Sequence, residues 1–305
     1  MRRAHEEIAA EVDACLKRYR ASAEESLRPL VVRYCPFLHS EAGGAEYRKL
    51  IELSAKMQMV GHACTEIGGF EFDKRRQHLS CLFAVCCFLG DSFLDDYGED
   101  ASREYVRRFE LLLTRGWFDI RTDRERAFYV TLARLFAVRD VFHPMLRQAL
   151  WSLFLVQKLD VELTLNATPL CNLSREKKLS LLRICERDRS GHAITVLALL
   201  LVPSFALERH HLLYAVGSLI SSIDDFGDAY FDRASGKPTY MNQVKQPAKV
   251  LAGIFGNTLN LLNTNLPHSH GRELLKAFLS LYYATRLRKH YAEKLKRSSA
   301  RPVYE

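Results

Sequence analysis

Apolar side chains recur every three to four positions along almost the whole chain, the spacing that gathers them on one face of an α-helix. The pattern predicts helices near 4–22, 45–68, 77–97, 103–115, 123–137, 144–166, 174–202, 206–232, 243–264 and 270–297. Glycine and proline interrupt it at Gly43-Gly44, Gly68-Gly69, Pro144, Pro203, Gly236-Lys237-Pro238 and Pro267, residues that a continuing helix tolerates poorly. Ser204, just past Pro203, is the expected N-cap of the segment that follows. No stretch between turn signals holds the two-residue alternation of a half-buried strand. No Gly/Ser linker, low-complexity tract or repeat marks an internal boundary. The expected fold class is all-α: a single-domain bundle of about ten helices over 1–305, packed around a common apolar interior.

Two of these helices stand apart. Residues 79–94 are apolar on nearly every face, through Leu82, Phe83, Val85, Phe88, Leu89 and Phe93, as a helix in the middle of a bundle should be. Yet the segment runs into Asp91, Asp95, Asp96, Glu99 and Asp100. Residues 212–223 repeat the arrangement and end in Asp224-Asp225-Phe226-Gly227-Asp228-Ala229-Tyr230-Phe231-Asp232.

Positions four apart on a helix lie one turn above one another. Asp91, Asp95 and Glu99 are thus expected along one stripe, and Asp224, Asp228 and Asp232 along another, with Asp225 to one side. Like charges at ~4 Å near a protein surface repel by about 4 kcal/mol, so stacking them beside apolar side chains needs a compensating cation. Neither cluster contains His or Cys. An all-oxygen ligand set favours a hard ion, above all Mg²⁺, which binds one or two carboxylates and completes its shell with water and substrate phosphates. Two acidic clusters beside a greasy interior point to a diphosphate held at a rim with an apolar tail below it, and to metal-assisted C–O cleavage.

Composition narrows the remaining classes. The chain has 305 residues, 48% hydrophobic and 26% charged, which suits a globular protein with a large core. Its formal net charge of +8 is spread over scattered residues such as Lys177-Lys178 and Arg286, Arg288, Lys289. No basic stripe interleaved with exposed aromatics appears, so nucleic acid is not an expected partner. The N-terminus is charged and has no apolar signal core, and the longest apolar run, 193–202, ends at Pro203. That falls short of the roughly 20 residues of a membrane span, so the expectation is a cytoplasmic protein with no integral membrane segment. Eight cysteines show no CxxC spacing, and several of them, Cys81, Cys86, Cys87 and Cys185, sit in apolar helical segments, as buried thiols do.

The acidic segments also carry a resemblance. Asp95-Asp96-Tyr97-Gly98-Glu99-Asp100 resembles the aspartate-rich DDxxD or DDxxE motif of class I isoprenoid synthases. The segment 224–232 is similar to the second metal motif of terpene synthases, (N/D)DxxSxxxE, with Asp228 in place of the Ser/Thr and Asp232 in place of the Glu. Between them, Arg187-Asp188-Arg189-Ser190-Gly191 looks like the Arg…Gly break that senses diphosphate in that family. Gly236-Lys237-Pro238 is similar to the GKP that follows the second acidic motif of trans-prenyl diphosphate synthases. The likeness covers roughly residues 79–240.

The resemblance implies a class I terpene synthase fold with a central apolar cavity. It implies Mg²⁺-dependent ionisation of a linear prenyl diphosphate, cyclisation or quenching of the carbocation, and release of diphosphate. Asp91, Asp95 and Glu99 would hold one part of a cluster of up to three Mg²⁺ ions, and Asp224, Asp228 and Asp232 the other, with Asp95, Asp224, Asp228 and Asp232 as the catalytic carboxylates. Arg187, Arg233 and Lys237 would contact diphosphate oxygens, and Phe88 and Tyr230 would offer aromatic faces to substrate. The nearest Arg and Tyr to the family's C-terminal Arg-Tyr pair are Arg286, Arg288 and Tyr291. A chain-elongating or head-to-head condensing synthase is the rival within the superfamily, since Asp91-Ser92-Phe93-Leu94-Asp95-Asp96 resembles the DxxxDD of squalene synthases. Elongating enzymes carry a GGKR-like segment; here only Ser26-Leu27-Arg28-Pro29-Leu30 echoes its end. A non-catalytic helical interaction protein is the alternative of a different class. A homodimer is left open.

Overall fold

The computed structural model describes residues 2–39, 43–95, 98–138, 144–164 and 172–299. Among them the chain is all-α. It forms twelve α-helices: α1 (Arg2–Tyr34), α2 (Gly44–Ile67), α3 (Lys74–Asp95), α4 (Gly98–Arg115), α5 (Asp123–Val138), α6 (Pro144–Thr164), α7 (Arg175–Leu201), α8 (Pro203–Glu208), α9 (His210–Ala234), α10 (Tyr240–Gln243), α11 (Pro247–Asn265) and α12 (His270–Ser299). A 3₁₀ turn, Pro36–His39, follows α1.

Several helix boundaries differ from the expected ones, each for a local reason. The first helix was expected to end near 22, yet α1 continues through Pro29 to Tyr34. Pro29 removes one backbone hydrogen bond and costs about 3 kcal/mol in a helix interior. The buried stripe Val12, Cys15, Tyr19, Ala23, Leu27, Leu30 and Val31 runs on past it, and each large aliphatic residue on it contributes about 1.5–3 kcal/mol on burial. The expected helix 206–232 is two helices, α8 and α9, with Arg209 between them. Pro203 opens α8 and Ser204 lies inside it, so Ser204 is no N-cap; the fixed φ of proline suits the first helical position. The expected helix 243–264 is likewise α10 and α11. Thr239 starts α10 with a capping box closed by Asn242, and Pro247 starts α11. The expected break at Gly68-Gly69 forms as read: Gly68 caps α2, and Gly69 takes φ +79°.

The chain divides into two compact units. The first comprises Met1–Trp151, Val196–Glu208 and His268–Leu275. Its core is made by α1, α2, α3 and α5. Leu27, Leu50, Met59, Leu79, Leu82 and Leu89 are buried there, and α3 is buried almost all round from Leu79 to Cys86, as its sequence requires. Gly61 keeps the packing close: a Cβ there would lie 2.8 Å from Leu201 Cδ1 and 2.9 Å from Ser80 Oγ.

The second unit comprises Ser152–Thr195, Arg209–Pro267 and Lys276–Glu305. Here α7 and α9 cross in backbone contact. A Cβ on Gly217 would meet the Ser190 carbonyl oxygen at 2.1 Å, and one on Gly191 would meet the Tyr214 ring at 2.8 Å. The crossing is fastened by Ser218 Oγ, which donates to the Arg187 carbonyl at 2.8 Å. Seven cysteines are described and all are free thiols, six of them buried and Cys87 half-buried. Among the described residues no helix is long and apolar enough to cross a membrane.

Candidate functional site

The second unit assembles its chemistry around the C-terminal half of α9. Because Gly217 lets α9 lie against the α7 backbone, the residues two turns later are fixed in rotation as well as position. Asp225 turns toward α7, while Asp224 and Asp228, one turn apart, turn toward α12. Gly227 allows α12 to approach: a Cβ there would sit 2.8 Å from Arg286 Cδ and 3.2 Å from Arg286 Cβ.

On α12, Tyr282, Arg286 and Lys289 form an i, i+4, i+7 stripe. Tyr282 Oη and Arg286 Nη2 both donate to Asp224 Oδ1. Lys289 Nζ donates to Asp228 Oδ1, and Arg286 Nη1 lies 3.5 Å from the same oxygen. The two carboxylates are neither surface charges nor buried ones, with side-chain exposures of 39% and 32%, so ligands can reach them. Burial pushes the Tyr282 phenol well up, and Asp224 adds to the effect; Tyr282 therefore stays a donor. Burial would lower the Arg286 pKa, but Asp224, Tyr282 and Asp228 together outweigh it and hold the guanidinium charged.

Asp225 has a different environment. It is buried, and Arg189 reaches it from α7 with Nη2 at 3.4 Å while Nη1 holds Asp160 on α6 at 3.1 Å. Burial raises the Asp225 pKa, opposed by Arg189 and reinforced by Asp160 and Asp224. Glu186 lies beside it on α7, buried, with Oε2 lacking a hydrogen-bond partner. Burial and then the Asp225 charge raise the Glu186 pKa. Glu186 and Asp225 therefore keep their protons to higher pH than exposed carboxyls do, although Arg189 opposes the shift at both and Arg183 at Glu186.

The residues singled out in sequence are distributed as follows. Asp224 and Asp228 are brought together, and Asp232 sits a further turn along α9 and is half-buried. Its carbonyl accepts from Lys237 N at 2.9 Å and Ser235 Oγ at 3.0 Å, so the Gly236-Lys237-Pro238 segment forms the end of α9, with Gly236 at φ +77°. Arg187 is not on this carboxylate face: its Nε is shared between Asp188 Oδ1 at 2.7 Å and Tyr214 Oη at 3.0 Å. The α7 arginine that reaches the second acidic motif is Arg189. Arg233 is nine residues from Asp224, about half a turn away around the helix axis. Its Nη2 donates to the Asn242 carbonyl. Tyr230 packs on the His290 ring with centroids 4.8 Å apart, and His290 in turn stacks on Phe226 at 3.9 Å.

The first acidic cluster belongs to the first unit. Asp91 is exposed near the end of α3, and Phe88, a turn before, is half-buried. Asp95 is the last described residue of α3 and Glu99 falls in the first turn of α4, so the expected stripe Asp91, Asp95 and Glu99 spans residues 96–97, which lie outside the described residues. Gly98, a poor helix former, opens α4. The side chains of Asp95 and Glu99, and residues 96–97 altogether, lie outside the described residues.

Tyr282, Lys289, Asp160 and Glu186 complete a shell that the sequence motifs did not mark, around Arg189, which lies within the quoted Arg187–Gly191 segment, and Arg286, a nearest candidate for the C-terminal Arg-Tyr pair. Its legible trace was the stripe of an aromatic and two cations on α12, which shares a face only in a helical register. Among the described residues no three His, Cys, Asp or Glu side chains converge as a metal cage. Mg²⁺ does not ask for one: two oxygen ligands plus substrate phosphates suffice. Asp224 and Asp228, one turn apart and half-exposed, could supply such a pair of oxygen ligands. No protein-family model matches the chain, and no curated protein matches it.

Proposed function

We propose that the chain is a Mg²⁺-dependent enzyme of the class I terpene synthase kind, ionising a linear prenyl diphosphate and cyclising or quenching the carbocation. The observation that carries this is the pairing of Asp224 and Asp228 with Arg286, Lys289 and Tyr282. Two half-exposed carboxylates one turn apart face a row of donors that fit phosphate oxygens equally well.

Asp224 and Asp228, with Asp232 further along, would hold metal in the second unit; the resemblance gives Asp91, Asp95 and Glu99 of the first acidic motif a metal-binding role as well. Mg²⁺ supplies Lewis-acid neutralisation of the charge that builds on the departing diphosphate. Arg286 and Lys289 bind that diphosphate, moving from carboxylate to phosphate oxygens as substrate enters. Tyr282, kept protonated, donates to Asp224 and orients it. Arg189 holds Asp225 and so fixes the rotation of α9 on which Asp224 depends. Phe88 remains the aromatic candidate for contact with the prenyl chain. Arg286 and Lys289 take the diphosphate-binding role that sequence assigned to Arg187 and Arg233, both of which are engaged elsewhere.

Purified protein incubated with C10, C15, C20 and longer prenyl diphosphates, with Mg²⁺ or with chelator, tests the proposal by gas chromatography–mass spectrometry. Hydrocarbon or alcohol product is expected only with metal. Asp224→Asn and Asp228→Asn should each abolish it without loss of helical content, as should Asp95→Ala. Unchanged turnover in Asp224→Asn and Asp228→Asn removes the site. Longer chains on addition of isopentenyl diphosphate would instead assign an elongating synthase.

A further inference from the structure

Within the first unit, the first turn of α12 meets α1 and α2 through a run of polar side chains. His270, the first residue of α12, places Nδ1 2.8 Å from Glu66 Oε2 of α2. Its Nε2 lies 3.0 and 3.1 Å from the two carboxylate oxygens of Glu11 on α1. The other Glu66 oxygen is 3.2 Å from His62 Nε2, and His62 Nδ1 is 2.8 Å from Tyr19 Oη. The run therefore goes Tyr19, His62, Glu66, His270, Glu11, from a buried phenol out to the surface. Next to it, Gly271 packs on the α2 backbone: a Cβ there would lie 2.9 Å from the Ala63 carbonyl oxygen and 3.0 Å from Ile67 N.

A neutral imidazole has one N–H to give and one lone pair to receive with. For His62 that is enough. Its Nε2 donates to Glu66 and its Nδ1 accepts from the Tyr19 hydroxyl, and burial lowers its pKa against the pull of Glu66. For His270 it is not enough. Both of its ring nitrogens face carboxylates, which only accept, so a neutral ring would set one nitrogen lone pair against Glu11 or Glu66. The contact as built calls for an imidazolium that donates from both nitrogens. The position itself opposes that charge, because a cation on the first residue of a helix sits at the positive end of the macrodipole. Two carboxylates from other helices outweigh it: hydrogen bonds to Glu11 and then Glu66 raise the His270 pKa above its ordinary 6.5. Also around the contact stand Cys15 and Arg18 of α1, 3.2 Å apart, and His268, Arg272 and Glu273 beside His270 in the chain, where Arg272 Nε donates to Glu273 at 3.0 Å.

We propose that His270 is a proton-operated latch: as an imidazolium it ties α1 to the start of α12 through Glu11, and on losing its proton it keeps Glu66 and releases Glu11. Gly271 decides which carboxylate is kept, since its backbone contact holds the turn against α2 beside Glu66. The remaining N–H then stays on Nδ1, and Nε2 turns a lone pair toward Glu11. A group that binds its proton more tightly in the folded chain contributes its full stabilisation below the unfolded value, here 6.5, and loses it as pH rises through the higher folded value. The latch is closed in mild acid and open in mild alkali.

Nuclear magnetic resonance of the full chain with labelled histidine, from pH 5 to 9, tests the charge, the His270 signal being the one missing in His270→Gln. Its midpoint is expected above 6.5, lower in Glu11→Gln than in the parent, and at or below 6.5 in Glu11→Gln/Glu66→Gln, where the macrodipole is unopposed. Hydrogen exchange, corrected for the intrinsic effect of pH, tests the latch. Protection of the α1 amides from Val12 to Cys15 should fall about threefold or more further between pH 6 and 9 in the parent than in His270→Gln. Glu11→Gln, a conservative change at the surface, should behave as His270→Gln does. A parent midpoint at or below 6.5 overturns the proposal, as does a raised midpoint that the glutamine variants leave in place. Equal pH dependence of protection in the parent and in both single variants also overturns it. No metal or substrate enters either measurement, so this proposal and the catalytic one fail separately.

Discussion

Arg286 lies along Gly227, its Cδ only 2.8 Å from where a Cβ on that glycine would be. The contact lets one arginine reach both Asp224 and Asp228. Gly227→Ala should push the arginine stem aside while leaving the α9 backbone in place, since the obstructing atoms belong to a side chain. Stability should change by about 1 kcal/mol or less, alanine's helix propensity offsetting part of the clash. Turnover should fall by about tenfold or more, because small misplacements of a positioning group are costly. Thermal melts and product formation by the same preparation check both halves. Loss of stability with activity retained would mean that Arg286 does not serve the reaction.

Lys289 offers a second handle on the same face. It neutralises Asp228, and any cation entering the pair must compete with it. Lys289→Met should therefore tighten binding of Mg²⁺ alone by about three- to tenfold, the modest figure appropriate to a half-exposed ion pair. It should weaken diphosphate binding in the presence of Mg²⁺, where the lysine would contact phosphate. Calorimetric Mg²⁺ titrations with and without diphosphate read the two effects, and movement of both in the same direction would contradict the transfer of Lys289 between partners.

Much of this was legible in sequence, for identifiable reasons. The all-α class follows from a periodicity that almost no segment breaks, and α3 was recognisable because it is apolar on every face. Asp224 and Asp228 were recognisable because a four-residue spacing has one geometric meaning on a helix. The helix ends were less legible: Pro29 reads as a stop, but a buried stripe on both sides of it overrides the local preference. Partners across helices were the least legible. Whether Arg187 or Arg189 reaches the acidic motif of α9 depends on the rotation of α7 at the Gly191–Gly217 crossing, and no local signal encodes that rotation. Arg233 and Tyr230 sit close to Asp224 in sequence and on another face in space. Near-neighbour reasoning along α9 could not separate them without counting helical angle.

The crossing itself makes a sharp prediction. A Cβ on Gly217 would overlap the Ser190 carbonyl at 2.1 Å and its carbon at 2.6 Å. These are backbone atoms, so relief requires α7 and α9 to move apart. Gly217→Ala should destabilise the protein by about 3 kcal/mol or more, at the upper end for overpacking. Gly253 and Gly256 in α11 are exposed, with no atom within 4 Å of an added Cβ. Alanine there should be neutral or stabilising by up to about 1 kcal/mol. Denaturant midpoints of the three variants give the comparison, and a Gly217→Ala protein as stable as Gly253→Ala would contradict the backbone contact.

Glu186 and Asp225 link stability to pH. Burial raises both carboxyls above their ordinary values, 4.5 for Glu and 3.8 for Asp. The folded chain therefore keeps protons that the unfolded chain has released. Where the folded state binds more protons, unfolding free energy falls as pH rises. The loss begins above the unfolded values, near pH 4 to 5, and stops once the folded carboxyls have themselves ionised. Glu186→Gln replaces the protonated carboxyl with a neutral group of the same shape. It should flatten this part of the pH profile and raise stability at the alkaline end, while changing little near pH 4. Relieved of the Glu186 charge, Asp225 should ionise more readily and bind Arg189 more firmly, which would tighten the α7–α9 register that sets Asp224. Denaturant titrations from pH 4 to 9 on the parent and Glu186→Gln chains measure this directly. A variant whose profile parallels the parent's would show that Glu186 is already ionised in the folded protein.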